Sequence, residues 1–425
     1  MTAEVGPAQG GPEADGMSLQ ALADLRVLEL GHAVAGPLAC GLLGDFGADV
    51  IKIELPGEGD MARSLGPRAD DGVSAWWKTL ARNKRCVALD WKSPDSHPAL
   101  RLLVERAHVL VENFRPGVLE RAGLGPDILH GWNADLVILR ISGYGQDGPY
   151  AMRPGFGRAG EALSGFAHLT GFPDGPPLHS GYPVADTTTG LMGAFGVLVA
   201  LEAVRSGRAR GQVVDLSIYE PLLRLIDYHV PIRTGAGPSV IRGGTLPSMS
   251  YTPGGVFRTR DGRWVTLSAG SAATGRRLLA AVGGEDWAAE PRFRDLEGFT
   301  ASVEEIQERL SCWIGAHDLA DVLSHFAKHN AVAAVICDTD DILADPQVAH
   351  RDNIASVPGE RTRVVDAVPK LGATPGAVRW LGRAQVGADT TAVLREAGCA
   401  EGAIAALLDS GTAVDSSPLG AETAR

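Results

Sequence analysis

The sequence predicts an α/β fold with a mostly parallel sheet, and three observations carry that expectation. Short apolar strands alternate with helix-patterned segments through the first 220 residues, the pattern of βαβ units whose sheet is covered on both faces. The chain has 425 residues, more than one simple core accommodates, so two domains are expected. After about residue 221 the pattern changes to a connector, a hairpin and amphipathic helices, which predicts a smaller α+β domain.

In chain order, "LRVLELG" (25–31) reads as a strand and "GPLACGLLGDFGA" (36–48) as a helix with Pro37 in its first turn. "DVIKIE" (49–54) closes the first βαβ unit. "CVALD" (86–90), a helix opened by "SPDSHPAL" and the strand "HVLVENF" (108–114) form the second, and "LVILRISGYG" (136–145) adds a further strand. A long apolar helix runs over 187–207, with Gly190, Gly193 and Gly196 at helical spacing. Each glycine costs about 1 kcal/mol of helix propensity relative to alanine, which close packing against a helix or the sheet would explain. "GQVVDLSIYE" (211–220) is again a strand. A Gly/Pro/Ser-rich connector (235–255) leads to a hairpin over 255–270 with Asp261-Gly262 at its turn. Helices follow near 272–283, 303–315 and 318–329, then a strand over 331–338.

The resulting division is a disordered tail (1–17), a large Rossmann-like domain (18–222), a linker (223–250), a small α+β domain (251–330), a return linker with the C-terminal part of the large domain (331–410), and a flexible tail (411–425).

Composition narrows the function classes. Hydrophobic residues make up 45% and charged residues 21%, the profile of a soluble globular protein. The net charge of −12 speaks against a nucleic-acid partner, and "RSGRARG" (205–211) reads as an exposed turn. Cys40, Cys86, Cys312, Cys337 and Cys399 are scattered, with no CxxC and no metal-type spacing, so no metal site is expected and reduced thiols in the cytoplasm are. No apolar run reaches the ~18 residues of a membrane span, and the N-terminus lacks a signal-peptide pattern.

Asp186 in "HSGYPVADTTTG" (179–190) has two readings. A carboxylate just before a helix is a good cap, and the helix dipole favours its charge. The same carboxylate is a nucleophile if held against a carbonyl, with helix N–H groups at hand for an oxyanion. Lys84, Arg85 and Lys92 in "NKRCVALDWKSP" suit either solvent or phosphates, without any P-loop or GxGxxG. Arg115 and Arg121 in "ENFRPGVLERAG" follow a strand, where open α/β sheets bind ligands. His32 after the first strand is either a base or a structural ring, and neither GxSxG nor HExxH is present.

The ordered segments "LRVLELGHAVAGPLACGLLGDFGADVIKIELPGEGD", "NKRCVALDWKSP", "VENFRPGVLERAG", "ISGYGQDGPY", "GFPDGPP", "VADTTTG", "DGRWVTL" and "DILADPQVAHR" resemble the class III CoA-transferase family, from about residue 20 to about 400. That group includes formyl-CoA transferase, carnitine CoA-transferase and α-methylacyl-CoA racemase. The resemblance implies that Asp186 is the nucleophile, attacking an acyl-CoA to give an aspartyl anhydride and then an aspartyl-CoA thioester. CoA is then a substrate, and no permanently bound cofactor is expected. The implied CoA contacts are Val34, Ala35, Leu89, Asp90, Trp91, Lys92, Asn113, Phe114, Arg115 and Arg121. Val34 replaces the glutamine of formyl-CoA transferase and Leu55 its arginine, which argues against an oxalate substrate. The racemases carry a histidine-aspartate pair where this chain has Phe156 and Gly157, and phenylalanine cannot shuttle a proton, so transfer is preferred over racemisation. A CoA-binding protein without turnover is the reading from another class. Arg158, beside Phe156, is a candidate partner for a substrate carboxylate. The resemblance further implies a homodimer of interlocked rings, with a glycine-containing loop over each site, for which "TPGG" (252–255) is a candidate and an ordinary turn is the alternative.

Overall fold

The structure is a computed structural model describing residues 20–235, 237–244 and 253–416. The tail expected over 1–17 and most of that over 411–425 lie outside these residues, as does Thr252 of "TPGG". The chain divides into two compact units. The first contains residues up to Arg153, Thr187–Ser217 and the chain from Asn353; the second contains Pro154–Asp186 and Ile218–Asp352.

The first unit is built on a seven-stranded sheet. Its strands are β1 (Arg26–Glu29), β2 (Asp49–Glu54), β3 (Lys84–Leu89), β4 (Val109–Glu112), β5 (Val137–Ser142) and β6 (Val213–Ser217), all parallel. The strands of the second unit are β7 (Gly255–Arg258), β8 (Trp264–Ser268) and β9 (Val332–Val335). The pair β10 (Ile354–Ser356) and β11 (Arg363–Val365) and the strand β12 (Ala413–Val414) belong to the first unit. The large sheet has the order β12-β3-β2-β1-β4-β5-β6, with β12 antiparallel to β3. Chain order reverses between β1 and β4, and in an open α/β sheet ligands bind beyond the carboxyl ends of the strands at that switch. Leu28, Ile51, Val87, Leu110 and Ile138 from five adjacent strands form the continuous core that pure apolar runs require.

The long helix is Val184–Arg205, 22 residues. Its glycines are packing devices. A Cβ on Gly190 would fall 2.9 Å from Leu38, and one on Gly193 would fall 3.0 Å from Leu139 of β5. By length and composition this helix is long and apolar enough to cross a membrane, with its charged residues near its ends, which differs from the expectation that no apolar run reaches that length.

Four domain expectations differ from the structure. Residues 154–186, expected within the large domain (18–222), fall in the second unit. The strand expected to return to the large domain after residue 331 is β9, which pairs with β8 in the small three-stranded sheet. Residues 413–414, expected in a tail, extend the large sheet through Leu89 and Ala88. The linker expected over 223–250 includes the helix His229–Thr234. The expected hairpin is β7–β8, with Gly262 at φ 83° in its turn. The core of the small domain is aromatic, with Phe293, Phe299 and Phe326 fully buried.

Candidate functional site

In the second unit, Asp186 lies in the first turn of its helix, which opens directly after Pro183. It is therefore inside the helix, three residues earlier in helical structure than expected, and is not a cap preceding it. Its carboxylate lies over Gly157, the first residue of the helix Gly157–Leu163. A Cβ at Gly157 would come within 2.2 Å of Asp186 Oδ2, so any side chain there would displace the carboxylate from this position. Phe156 stands just before that helix with 71% of its surface exposed, and Arg158 is exposed and makes no ion pair among the described residues.

Burial raises the Asp186 carboxyl from 3.8 to about 6; its own backbone N–H works against this, and the charge of Glu161 adds to it. The helix start favours the ionised state, as expected, but burial outweighs it. At neutral pH the group is still mostly a carboxylate, but an under-solvated one. Attack on a carbonyl carbon relieves the same penalty that raises its proton affinity.

Glu161 was not singled out from the sequence. It is buried on the same helix and accepts hydrogen bonds from His179 Nδ1 (3.0 Å) and the Ser180 backbone N–H (3.2 Å). The available signal was its position as the sole acidic residue between Pro154 and Pro173.

In the first unit, the loops after β1, β3 and β4 converge at the switch point. The Asn113 side chain ties two of them together: Oδ1 accepts from the His32 backbone N–H and Nδ2 donates to the His32 carbonyl, both at 2.8 Å. Phe114 stacks on Trp91 with ring centroids 4.9 Å apart, and His32 meets Phe114 edge-on at 5.4 Å. Lys92 Nζ lies 5.4 Å from the Trp91 ring. These side chains, with Leu55, Asp60 and Val118, line a cavity of about 310 Å³. Burial lowers the proton affinity of His32, so its ring is neutral at pH 7.

A buried ion cluster sets the floor of this site. Glu29, at the end of β1, pairs with Lys52 (2.7 Å) and Lys84 (2.6 Å), and Lys52 also pairs with Asp60 (2.7 Å) and donates to the Gly31 carbonyl (2.8 Å). Burial pushes the Glu29 carboxyl up, but the two ammonium groups outweigh it and leave it below its ordinary range. Asp60 Oδ1 accepts from the Ala33 N–H at 3.0 Å, holding Ala33 at φ 62°, a left-handed conformation costing a non-glycine residue roughly 1–2 kcal/mol. Val34 and Ala35 follow directly, buried at the start of the helix Ala35–Asp45.

The expected contacts therefore divide. Trp91, Lys92 and Phe114 line the cavity, and Asn113 positions its loop. Lys92, Arg115 and Arg121 are exposed and form no ion pair among the described residues. Asp90 accepts from the Lys92 N–H. Leu89 is a core residue with its side chain fully buried. Lys84 and Arg85, read as solvated or phosphate-binding, are both occupied: Lys84 is fully buried on Glu29, and Arg85 pairs with Asp49 and Glu396. Among the described residues no group of three His, Cys, Asp or Glu side chains is arranged to hold a metal.

Residues 22–390 match the model of the family described as CoA-transferase family III. The chain belongs to CoA-transferase family III. It is an enzyme of the CoA-transferase class. It is similar to succinyl-CoA–D-citramalate CoA-transferase of Chloroflexus aurantiacus, 38% identical over 85% of this chain and 90% of that one. It is also similar to the succinyl-CoA–L-malate CoA-transferase beta subunit of that organism, 37% identical over 88% and 93%. Among solved structures, a CAIB/BAIF family protein from Brucella suis matches with a TM-score of 0.79 and 26% identity, over 89% of this chain and 99% of that one.

Proposed function

We propose that this CoA-transferase works through Asp186, with succinyl-CoA as donor and a dicarboxylic acid as acceptor. Asp186 Oδ attacks the thioester carbon, the C–S bond breaks and CoA leaves as thiolate. The thiolate then attacks the aspartyl carbonyl of the mixed anhydride, releasing succinate and leaving an aspartyl-CoA thioester. The acceptor carboxylate attacks that carbonyl and expels the thiolate. Attack of the thiolate on the acceptor's acyl carbon gives the new thioester and regenerates Asp186. No ATP or metal enters the balance, and water must be excluded because it would hydrolyse either anhydride.

The observation that carries this reading is the Asp186 carboxylate held over Gly157, buried enough to be raised to about 6 yet ionised at neutral pH. The aromatic bed of Trp91 and Phe114 supports binding of CoA, with Lys92, Arg115 and Arg121 as phosphate partners and the loop at Val34 and Ala35 along the thiol arm. The donor and acceptor classes come from the relatives' printed reactions, and exposed Arg158, without an ion pair among the described residues, suits a distal carboxylate. Two chains interlock as a homodimer, a reading supported by the exposed apolar face of the Asp186 helix. Five free cysteines support a reducing, cytoplasmic setting.

The test is incubation with succinyl-CoA and a panel of mono- and dicarboxylic acids. The expected result is a new thioester with dicarboxylates, and a hydroxylamine-sensitive adduct on Asp186 by intact mass. Asp186→Asn should lower transfer by at least about 10³-fold. Full activity in that variant removes Asp186 from the mechanism, and unchanged dicarboxylate use in Arg158→Ala removes Arg158 from recognition.

A further inference from the structure

We propose that Glu161 is a positioning residue for the transfer reaction: its buried carboxylate fixes, through His179 and Ser180, the segment that carries Asp186 over Gly157. This rests on the reading of Asp186 as nucleophile. Gly157 and Glu161 are four residues apart on one helix and so share a face. Gly157 meets the Asp186 carboxylate, and Glu161 meets the segment leading to it. From there the segment is fixed stepwise: Ser180 Oγ donates to the Tyr182 carbonyl at 2.5 Å, and the Val184 N–H donates to the same carbonyl at 2.7 Å. The helix beneath is itself seated, because a Cβ on Gly160 would fall 2.9 Å from Ile218.

A carboxylate 1% exposed, whose only ion-pair partner among the described residues is half-exposed His179, is costly for a merely structural position. An apolar side chain would fill that space without the cost, but would release His179 and Ser180. Positioning errors of about 1 Å cost around 10²-fold in rate, and the attacking oxygen is only six residues from Ser180.

The charge has a second consequence. Arg158 on the same helix, His168 on the helix Phe166–Leu169, Tyr219, Glu220 and Arg224 on the helix Tyr219–Leu225, and His179 and Tyr182 on the segment before Asp186 are the other charged or titratable groups on elements packed here. Among these, Glu161 is the one whose field raises the proton affinity of Asp186. Neutralising it lowers that affinity and moves the acid limb of activity to lower pH.

The experiment compares wild type, Glu161→Gln, Glu161→Ala and Asp186→Asn, with succinyl-CoA and acetyl-CoA as donors. It reads rapid-quench adduct formation by intact mass and kcat and KM from pH 5 to 8. Glu161→Ala is expected to slow the Asp186 adduct roughly 10–100-fold with the donor KM within about 3-fold. Glu161→Gln keeps an acceptor for the Ser180 N–H, so it recovers most of the rate while its acid limb falls below that of wild type. A Glu161→Ala adduct rate equal to wild type, or a Glu161→Gln acid limb unmoved, overturns the proposal for Glu161. Absence of the wild-type adduct, or turnover by Asp186→Asn, overturns instead the nucleophile reading beneath it.

Discussion

At the residue scale, Asp186 carries opposite consequences for activity and stability. Its folded-state proton affinity is raised from 3.8 to about 6. The folded state therefore holds the proton more tightly than the unfolded chain, and the contribution to stability is complete below pH 3.8. It is lost as pH rises through about 6. Above that, the buried charge costs the fold on the order of 1–3 kcal/mol. Asp186→Asn should therefore be inactive yet melt at higher temperature than wild type at pH 7.5, with the difference vanishing near pH 3.5. If Asp186 is the nucleophile, as proposed, wild-type kcat/KM for the donor should rise with pH through about 6 as it ionises. Equal melting curves at pH 7.5 would mean that the carboxylate is better solvated than its position over Gly157 implies. Asp186 and the side-chain-free Gly157 were both legible in the sequence, since their residue types limit what each can do. Glu161 was not, because its partners His179 and Ser180 lie 18 and 19 residues onward and only folding brings them together.

At the element scale, the loops after β1 and β4 are held as one surface by the Asn113 amide. Both ends of that side chain are used on the His32 backbone, so on the proposed reading its contribution to CoA binding is the shape it imposes. Asn113→Ala removes two hydrogen bonds worth together about 1–3 kcal/mol. It should raise the acyl-CoA KM about 10-fold while kcat stays within about 3-fold, because ground state and transition state lose the same binding. A fall in kcat with unchanged KM would place Asn113 in the chemical step instead. The strands themselves were readable, because continuous apolar runs between helical patterns leave few other assignments. The ion cluster was harder to read. Glu29, Lys52 and Lys84 each sit in a strand that looks apolar, and pairing them requires knowing that β1, β2 and β3 are neighbours in register. Charges inside otherwise apolar parallel strands were the signal, since an unpaired charge there would be prohibitive.

At the scale of the whole molecule, the long helix divides its apolar side chains between two faces. Ala194, Val197 and Leu201 are buried, while Leu191, Phe195, Leu198 and Val199 are exposed, Phe195 by 62%. Those four exposed residues follow helical spacing and form a continuous apolar face, which soluble chains seldom leave to water. In the proposed homodimer a second copy of the chain covers this face, and the particle in solution should then have twice the 44.4 kDa chain mass. The proposed interlock has a kinetic consequence. Two separately folded chains resting face to face exchange partners by dissociation, whereas closed rings threaded through each other exchange only after one ring opens by unfolding. Mixing tagged and untagged dimers at low micromolar concentration should therefore give no mixed dimer by native mass spectrometry over hours at 25 °C. Mixed species should appear only in denaturant sufficient to unfold the chain. Phe195→Glu, which puts a charge on this exposed apolar face, should lower the yield of dimer rather than release active monomer. Exchange within minutes in buffer would leave the apolar face explained by ordinary dimerisation and remove the interlock.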